Sequence, residues 1–257
     1  CLSLAAEMHP FGVATPVWVP AAVGAGRRPF VREAVPAWAR RVVYRFAGEA
    51  RVFDVLERRI LSSLREGDVV YLWPGMSRTF VESVRARGHA IVMERINCAR
   101  GTAKRILDDE YARLGWPVAD GIDAASVALE AEELGLADRV FAPSPGVRAS
   151  LEDLGIETSH ILSTSYGFDP ARLVGTSCAL PPFDGLTIVF VGYACVRKGV
   201  HLLFEAFARA GMNARLVLAG RIAPDIAHAH AEFLARPDVI ALGHVADVGA
   251  VYRSADA

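Results

Sequence analysis

Leu186-Thr187-Ile188-Val189-Phe190-Val191-Gly192-Tyr193-Ala194-Cys195-Val196-Arg197-Lys198-Gly199-Val200-His201-Leu202-Leu203-Phe204-Glu205-Ala206-Phe207 reads as a buried strand, a loop opened by glycine, and an amphipathic helix. Residues 186–191 are almost continuously apolar rather than alternating, the pattern of a strand covered on both faces in a parallel sheet. Beyond Gly192 the loop reaches Arg197-Lys198-Gly199, which this reading places at the start of a helix. That helix carries Val200, Leu203, Phe204 and Phe207 on one face, at i, i+3, i+4 and i+7. Two cations therefore stand beside free backbone N–H groups at the carboxyl end of a parallel strand. Cations at a helix N-terminus cost stability unless an anion neutralises them, so the stretch predicts an anion site, with a diphosphate as its natural guest. A solvated basic pair is the structural alternative.

Working outward, the same alternation of short apolar runs and helical periods fills the chain. Strands are expected at 16–19, 41–46, 68–73, 89–95, 139–142, 160–163, 186–191, 215–219 and 239–242. Helices are expected at 52–65, 79–87, 102–114, 124–136, 147–154, 199–210 and 226–234. The fold class is α/β, with two Rossmann-like, doubly wound parallel-sheet domains. Helical period stops at 176–182, where Pro181-Pro182 stiffens the chain before a new buried strand. The expected division is residues 1–176, a linker at 177–182, and 183–257. The first domain lacks the strand and glycine-bearing loop that would open it, and the second holds only three strand–helix units, so the sequence reads as a fragment.

The 257 residues are 53% apolar and carry 28 basic against 29 acidic side chains, which excludes a disordered or collagen-like chain. At about 150 residues per domain the length corresponds to roughly 1.7 domains. No apolar run approaches the roughly 18 residues of a membrane span. The opening residues show no basic n-region followed by an apolar h-region, so no signal peptide is read and a cytoplasmic location is expected. Cys1, Cys98, Cys178 and Cys195 are scattered singly, without metal-ligand or disulfide-framework spacing. Between Gly26 and Phe53, seven arginines (Arg27, Arg28, Arg32, Arg40, Arg41, Arg45, Arg51) face Glu33 and Glu49, a local balance of +5. With Phe30 and Trp38 nearby, that segment suits peripheral contact with an anionic membrane face or a phosphorylated ligand, against the plainer reading of an Arg-rich surface. The chain as a whole is not basic, so nucleic acid is not an expected partner.

Four blocks in order carry a resemblance: Phe190-Val191-Gly192 with Arg197 to Phe207; Arg215-Leu216-Val217-Leu218-Ala219-Gly220; Val239-Ile240-Ala241-Leu242-Gly243-His244-Val245; and Tyr252-Arg253-Ser254-Ala255-Asp256. They are similar to the donor-binding domain of retaining GT-B glycosyltransferases of the group 1, or family 4, class. Val140-Phe141-Ala142-Pro143-Ser144 and Tyr166-Gly167-Phe168-Asp169 resemble the end of the same family's acceptor domain.

The resemblance implies transfer of a sugar from a nucleotide-sugar donor to a glycan, lipid-linked or small-molecule acceptor, with retention and without a metal. Lys198 matches the lysine that neutralises the donor diphosphate, with Arg197 beside it and Gly199 completing the motif. Gly192 and Gly220 let the backbone approach the ligand, and Val245 matches the residue whose backbone contacts the base. His244 lines the same pocket or is an exposed loop histidine. Three departures stand out. Tyr193 occupies a position where many members have Arg. Glu94 and Asn97 lie where many have a catalytic His. The family's paired glutamates would fall beyond Ala257, so weak or absent turnover is expected of the chain as given. A non-catalytic nucleotide-sugar or carbohydrate-binding module and a nucleotide-sugar epimerase of the same fold remain alternatives.

Other constellations read as structural. His228 and His230, at i and i+2, point to different sides of a helix and do not chelate together, which leaves a solvated helix. His201 reads as a helix-surface residue. The acidic runs 108–110 and 130–133 read as solvated helix faces. Ser144 lies in Pro-Ser-Pro without a glycine elbow and reads as an N-cap, with Pro145 at the first helical position.

Overall fold

The computed structural model describes residue 8 and residues 13–20, 30–36, 38–46, 48–167, 170 and 173–257. Cys1, Arg27, Arg28, Phe168 and Asp169 lie outside the described residues. The chain divides into two compact units, one of Cys1–Ala99 with Val127–Ser165, the other of Arg100–Ser126 with Tyr166–Ala257.

In the first unit β1 (Val17–Val19) and β2 (Val31–Glu33) form a parallel pair. Helices α1 (Arg40–Phe46) and α2 (Gly48–Ser63) follow. A second sheet takes the spatial order β3 (Val69–Leu72), β4 (Ala90–Glu94), β5 (Arg139–Ala142), β6 (Ile161–Ser163), every pairing parallel. Helix α3 (Arg78–Ala86) joins β3 to β4. Between β4 and β5 run α4 (Arg100–Leu114), which packs in the second unit, and α5 (Ala124–Gly135); α6 (Pro145–Asp153) precedes β6. The core interleaves Val70, Ile91, Val140 and Ile161 from the strands with Leu56, Phe80, Val84 and Leu151 from the helices. Ser144 caps α6, its Oγ accepting from the Val147 amide at 3.2 Å with Pro145 in the first turn, as expected from the sequence.

The second unit contains β7 (Leu186–Val191), a 3-10 turn (Val196–Lys198), α7 (Val200–Ala210), β8 (Ala214–Ala219), α8 (Pro224–Ala229), α9 (Ala231–Leu234), β9 (Val239–Gly243) and α10 (Val248–Tyr252). Its three strands are parallel, in the order β7-β8-β9. All six residues of β8 are buried, as a strand covered on both faces requires. Even Arg215 is buried there, donating to Thr187 Oγ1 at 2.9 Å and to the Pro181 carbonyl at 2.7 Å. On the far side of β7, the Asp256 amide donates to the Thr187 carbonyl at 2.9 Å and the Val189 amide to the Ala257 carbonyl at 2.8 Å. The chain has therefore passed from β9 to the other edge of β7. In open parallel α/β sheets the ligand crevice lies outside the carboxyl ends of the strands.

Several expectations are corrected. Residues 41–46 are helical, not a strand: Val42 is exposed, no strand among the described residues pairs with them, and the Val43 amide closes a helical turn on the Ala39 carbonyl at 2.9 Å. The strand β2 is too short to leave a periodic signal. The helix expected at 226–234 breaks at His230, where φ −116° and ψ 27° leave the helical region. The expected linker, 177–182, is held by hydrogen bonds to the last described turn. The Ser254 hydroxyl accepts from the Ala179 and Leu180 amides at 2.9 and 3.1 Å, and Arg253 Nε donates to the Ser177 carbonyl at 2.7 Å.

Candidate functional site

The three strands of the second unit end level with one another, Val191 opposite Ala219 and Ala219 opposite Gly243. Gly192, Gly220 and His244 therefore open three adjacent loops along one edge. The Gly192 amide donates to the Ala219 carbonyl at 2.9 Å. Gly220, at φ 146°, has no room for a side chain: a Cβ there would lie 1.9 Å from the Gly192 carbonyl oxygen. Around Gly192, at φ 136°, the space a Cβ would take is open. One glycine lets the loops cross, and the other leaves the crevice unfilled.

Beyond the crossing the first two loops are laced together. The Ala194 amide donates to the Arg221 carbonyl and the Ala223 amide to the Ala194 carbonyl, both at 2.9 Å. Tyr193 is 46% exposed, and the Arg221 guanidinium stands 5.8 Å from its ring centre. Arg197 and Lys198 are exposed, while Val196 between them and Cys195 is buried and holds the turn to the core. The sequence placed these cations at the start of the helix. They instead form a 3-10 turn of their own, closed by the Lys198 amide on the Cys195 carbonyl at 3.0 Å. Gly199, in the left-handed region at φ 68°, then hands the chain to α7, whose start has no side-chain cap. His244 is exposed and Val245 half-buried, on the loop that leads to α10. This edge thus gathers Gly192, Tyr193, Arg197, Lys198, Gly199, Gly220, His244 and Val245. Arg221, which the sequence reading passed over, joins them. Its position directly after a strand-ending glycine was the available signal.

Glu94 and Asn97 belong to the first unit. Glu94 ends β4, is buried and accepts a hydrogen bond from the Tyr71 hydroxyl; Asn97 is exposed. A depression at the carboxyl ends of β3 and β4 is lined by Trp73, Pro74, Gly75, Met76, Glu94 and Arg95. Arg95 is itself buried against Glu130, Nη2 to Oε1 2.5 Å. The second acidic run is therefore not wholly a solvated face.

Two further readings change. His201 is 1% exposed, and its Nε2 lies 2.6 Å from Glu110 Oε1 on α4. It is a core residue, not a surface one, and Glu110 of the first acidic run sits on a packed stripe. Arg113, then His201, hold the Glu110 carboxyl down at about 2. His230 turns inward, its ring 5.2 Å from Phe204 and 5.8 Å from Trp116, and burial lowers its pKa. Among the described residues no group of three His, Cys, Asp or Glu side chains is placed to hold a metal ion, and no helix is long and apolar enough to cross a membrane.

No family model and no curated protein sequence matches the chain. Solved structures do. HepE from Anabaena, in complex with UDP, is 14% identical with a TM-score of 0.54, over 78% of this chain and 55% of that one. The fold is that of the GT-B glycosyltransferases. The lipopolysaccharide outer core galactosyltransferase WaaB, in its apo form, matches 95% of this chain and 63% of its own at 15% identity and a TM-score of 0.51. A trehalose-6-phosphate synthase studied for glycosyl transfer with retention matches 86% and 56% at 14% identity and a TM-score of 0.51. The chain spans between 55% and 63% of the length of these GT-B chains. At such identities the likeness concerns the fold, and the GT-B architecture agrees with the two parallel-sheet units.

Proposed function

We propose that this chain takes part in glycosyl transfer from a nucleoside-diphosphate sugar to an acceptor hydroxyl, with retention at the anomeric carbon, in the cytoplasm. One observation carries the reading: three exposed cations, Arg197, Lys198 and Arg221, stand on the two loops that cross at Gly192 and Gly220, at the carboxyl ends of β7 and β8. The bond broken in such a transfer leaves negative charge on the diphosphate. Positive groups fixed beside the phosphates stabilise that charge most in the transition state, where it develops, and so lower the barrier. In this reading the side-chain cations, rather than a divalent metal, supply that charge. Arg221 does the work of an arginine at position 193, and Tyr193 offers a ring beside it. Val245 and His244 border the place for the base. HepE, solved with UDP, with UDP and glucose, and with UDP-glucose, supports the choice of UDP as first probe. The synthase studied for transfer with retention supports the stereochemistry. The acceptor, a glycan, a lipid-linked or a small molecule, is proposed to meet the first unit at the depression beside Glu94. Arg32, Arg41, Arg45 and Arg51, exposed with Trp38, are proposed to lean on anionic lipid.

A second reading, a nucleotide-sugar-binding module without turnover, is favoured by one observation: the Glu94 carboxylate is buried and engaged by Tyr71. Calorimetric titration with UDP tests the phosphate assignment. Lys198→Ala is expected to weaken binding by about tenfold or more, the scale of a charge-assisted contact. Equal affinity in variant and parent would refute it. Incubation with labelled UDP-sugar then separates transferase, epimerase and binding module by product.

A further inference from the structure

Two neighbouring residues of α4, Glu110 and Tyr111, each reach the first turn of a different helix behind the candidate site, α7 and α8. Leu107, Glu110, Tyr111 and Leu114 lie at i, i+3, i+4 and i+7 and so share one face of α4. Leu107 and Tyr111 are buried in one cluster with Ala194, Val196 and Val200, and α4 packs directly on the 3-10 turn that carries Arg197 and Lys198. Within that stripe Glu110 takes the His201 bond at 2.6 Å, at the start of α7 just behind the turn. Tyr111 Oη donates to Asp225 Oδ2 at 3.0 Å, at the start of α8 just behind Arg221.

We propose that Glu110 and Tyr111 are positioning residues, which through His201 and Asp225 hold the Arg197–Lys198 turn and the Arg221 loop at the spacing a diphosphate requires. The proposal rests on the reading of this edge as the diphosphate site. The hydrogen-bonding chemistry supports a holding role. His201 Nδ1 is buried without a partner, so the ring is anchored by Nε2 alone and the Nε2–H tautomer is the one that satisfies Glu110. Buried polar groups in an apolar stripe fix a register that apolar packing alone leaves free to slide. Both ties lie away from the open crevice, on the core side of the loops, so they act on the ligand only through the cations.

Three variants test this in the chain: His201→Leu, which keeps core volume and removes the donor; His201→Gln, whose amide nitrogen takes the place of Nε2; and Tyr111→Phe, which removes only the hydroxyl. UDP affinity is expected to fall about three- to tenfold in His201→Leu and in Tyr111→Phe, one net hydrogen bond's worth, and to recover to within about twofold in His201→Gln. When Arg197, Lys198 and Arg221 are already alanine, neither His201→Leu nor Tyr111→Phe should weaken binding further. Unchanged affinity, or a loss of the same size in that background, overturns the proposal. Amide hydrogen exchange supplies a readout that needs no ligand. The Ala194, Lys198 and Gly199 amides, bonded to Arg221, Cys195 and Val196 carbonyls, should exchange faster in His201→Leu and Tyr111→Phe while β8 amides do not change. Unaltered exchange at those three amides also overturns it. A parent chain that fails to bind UDP or other nucleoside diphosphates sinks the functional reading, and the positioning role is then judged on exchange.

Discussion

At Gly220 a single methyl group has nowhere to go, because the obstacle is the Gly192 carbonyl, a backbone atom fixed by the β7–β8 ladder, and not a side chain that can rotate away. Gly220→Ala is expected to destabilise the second unit by more than about 2 kcal/mol, through overpacking and a positive φ together, and denaturant unfolding measures it. Gly192→Ala meets open space and should cost only its conformational strain. The two glycines looked alike in the sequence, each following an apolar strand, and only the crossing distinguishes them. Lys198 stood out for a different reason: one of two lysines in an arginine-rich chain, after a strand and a glycine loop. Arg221 carried a weaker signal, its place after a strand-ending glycine, and its nearness to Tyr193 depends on a loop 28 residues earlier. His201 was illegible altogether, for its partner lies 91 residues away and nothing in a helical wheel predicts it.

Among elements, α4 departs most from its sequence reading. Its acidic run divides by face: Asp108 pairs with Lys104 on the outside, 2.9 Å apart, while Glu110 is drawn into the packed stripe. Because its carboxyl is held at about 2, below the ordinary 4.5, Glu110 binds protons less readily folded than unfolded. Its contribution to stability is therefore complete above about pH 4.5 and is lost as pH falls toward 2. Thermal midpoints of the parent and of Glu110→Gln should differ at pH 6 and converge as the pH is lowered through that window. Arg113, His201, Glu205 and His230 also bear on this stripe, and a gap that stayed constant with pH would count against the assignment. The parallel strands were readable because burial on both faces imposes a composition, whereas residues 41–46 show the limit. Val42-Val43 suits a strand, but no strand among the described residues pairs with it, and a helix satisfies its own backbone. The break at His230 was hidden for a related reason, as its ring packs on Phe204 and Trp116, neither of them a neighbour in sequence.

For the whole molecule, α/β architecture and the strand sequence around the site were legible from local patterns, but the allocation of segments to packing units was not. The second unit is discontinuous: it borrows 100–126 from the stretch before the 177–182 segment. Without α4, the cluster of Val196, Val200 and Phe204 loses Leu107 and Tyr111, two of its buried members. A piece of the chain running from 177 to 257 is thus expected to give poorly dispersed NMR spectra and broad, weakly cooperative unfolding. A separately added peptide covering 100–126 should sharpen both. Sharp cooperative unfolding of 177–257 alone would show that α4 is dispensable to that core.

The borrowed helix also sets a timetable. On a ribosome adding about 5 to 20 residues per second, Glu110 waits roughly 5 to 18 seconds for His201, 91 residues downstream, to be made. Through that interval α4 trails an amphipathic face whose intended cover does not yet exist. The loop that must then close is long, although its entropic cost grows only logarithmically with length. Delay in synthesis, more than the cost of closure, therefore decides how long Leu107 and Tyr111 stay open to wrong neighbours.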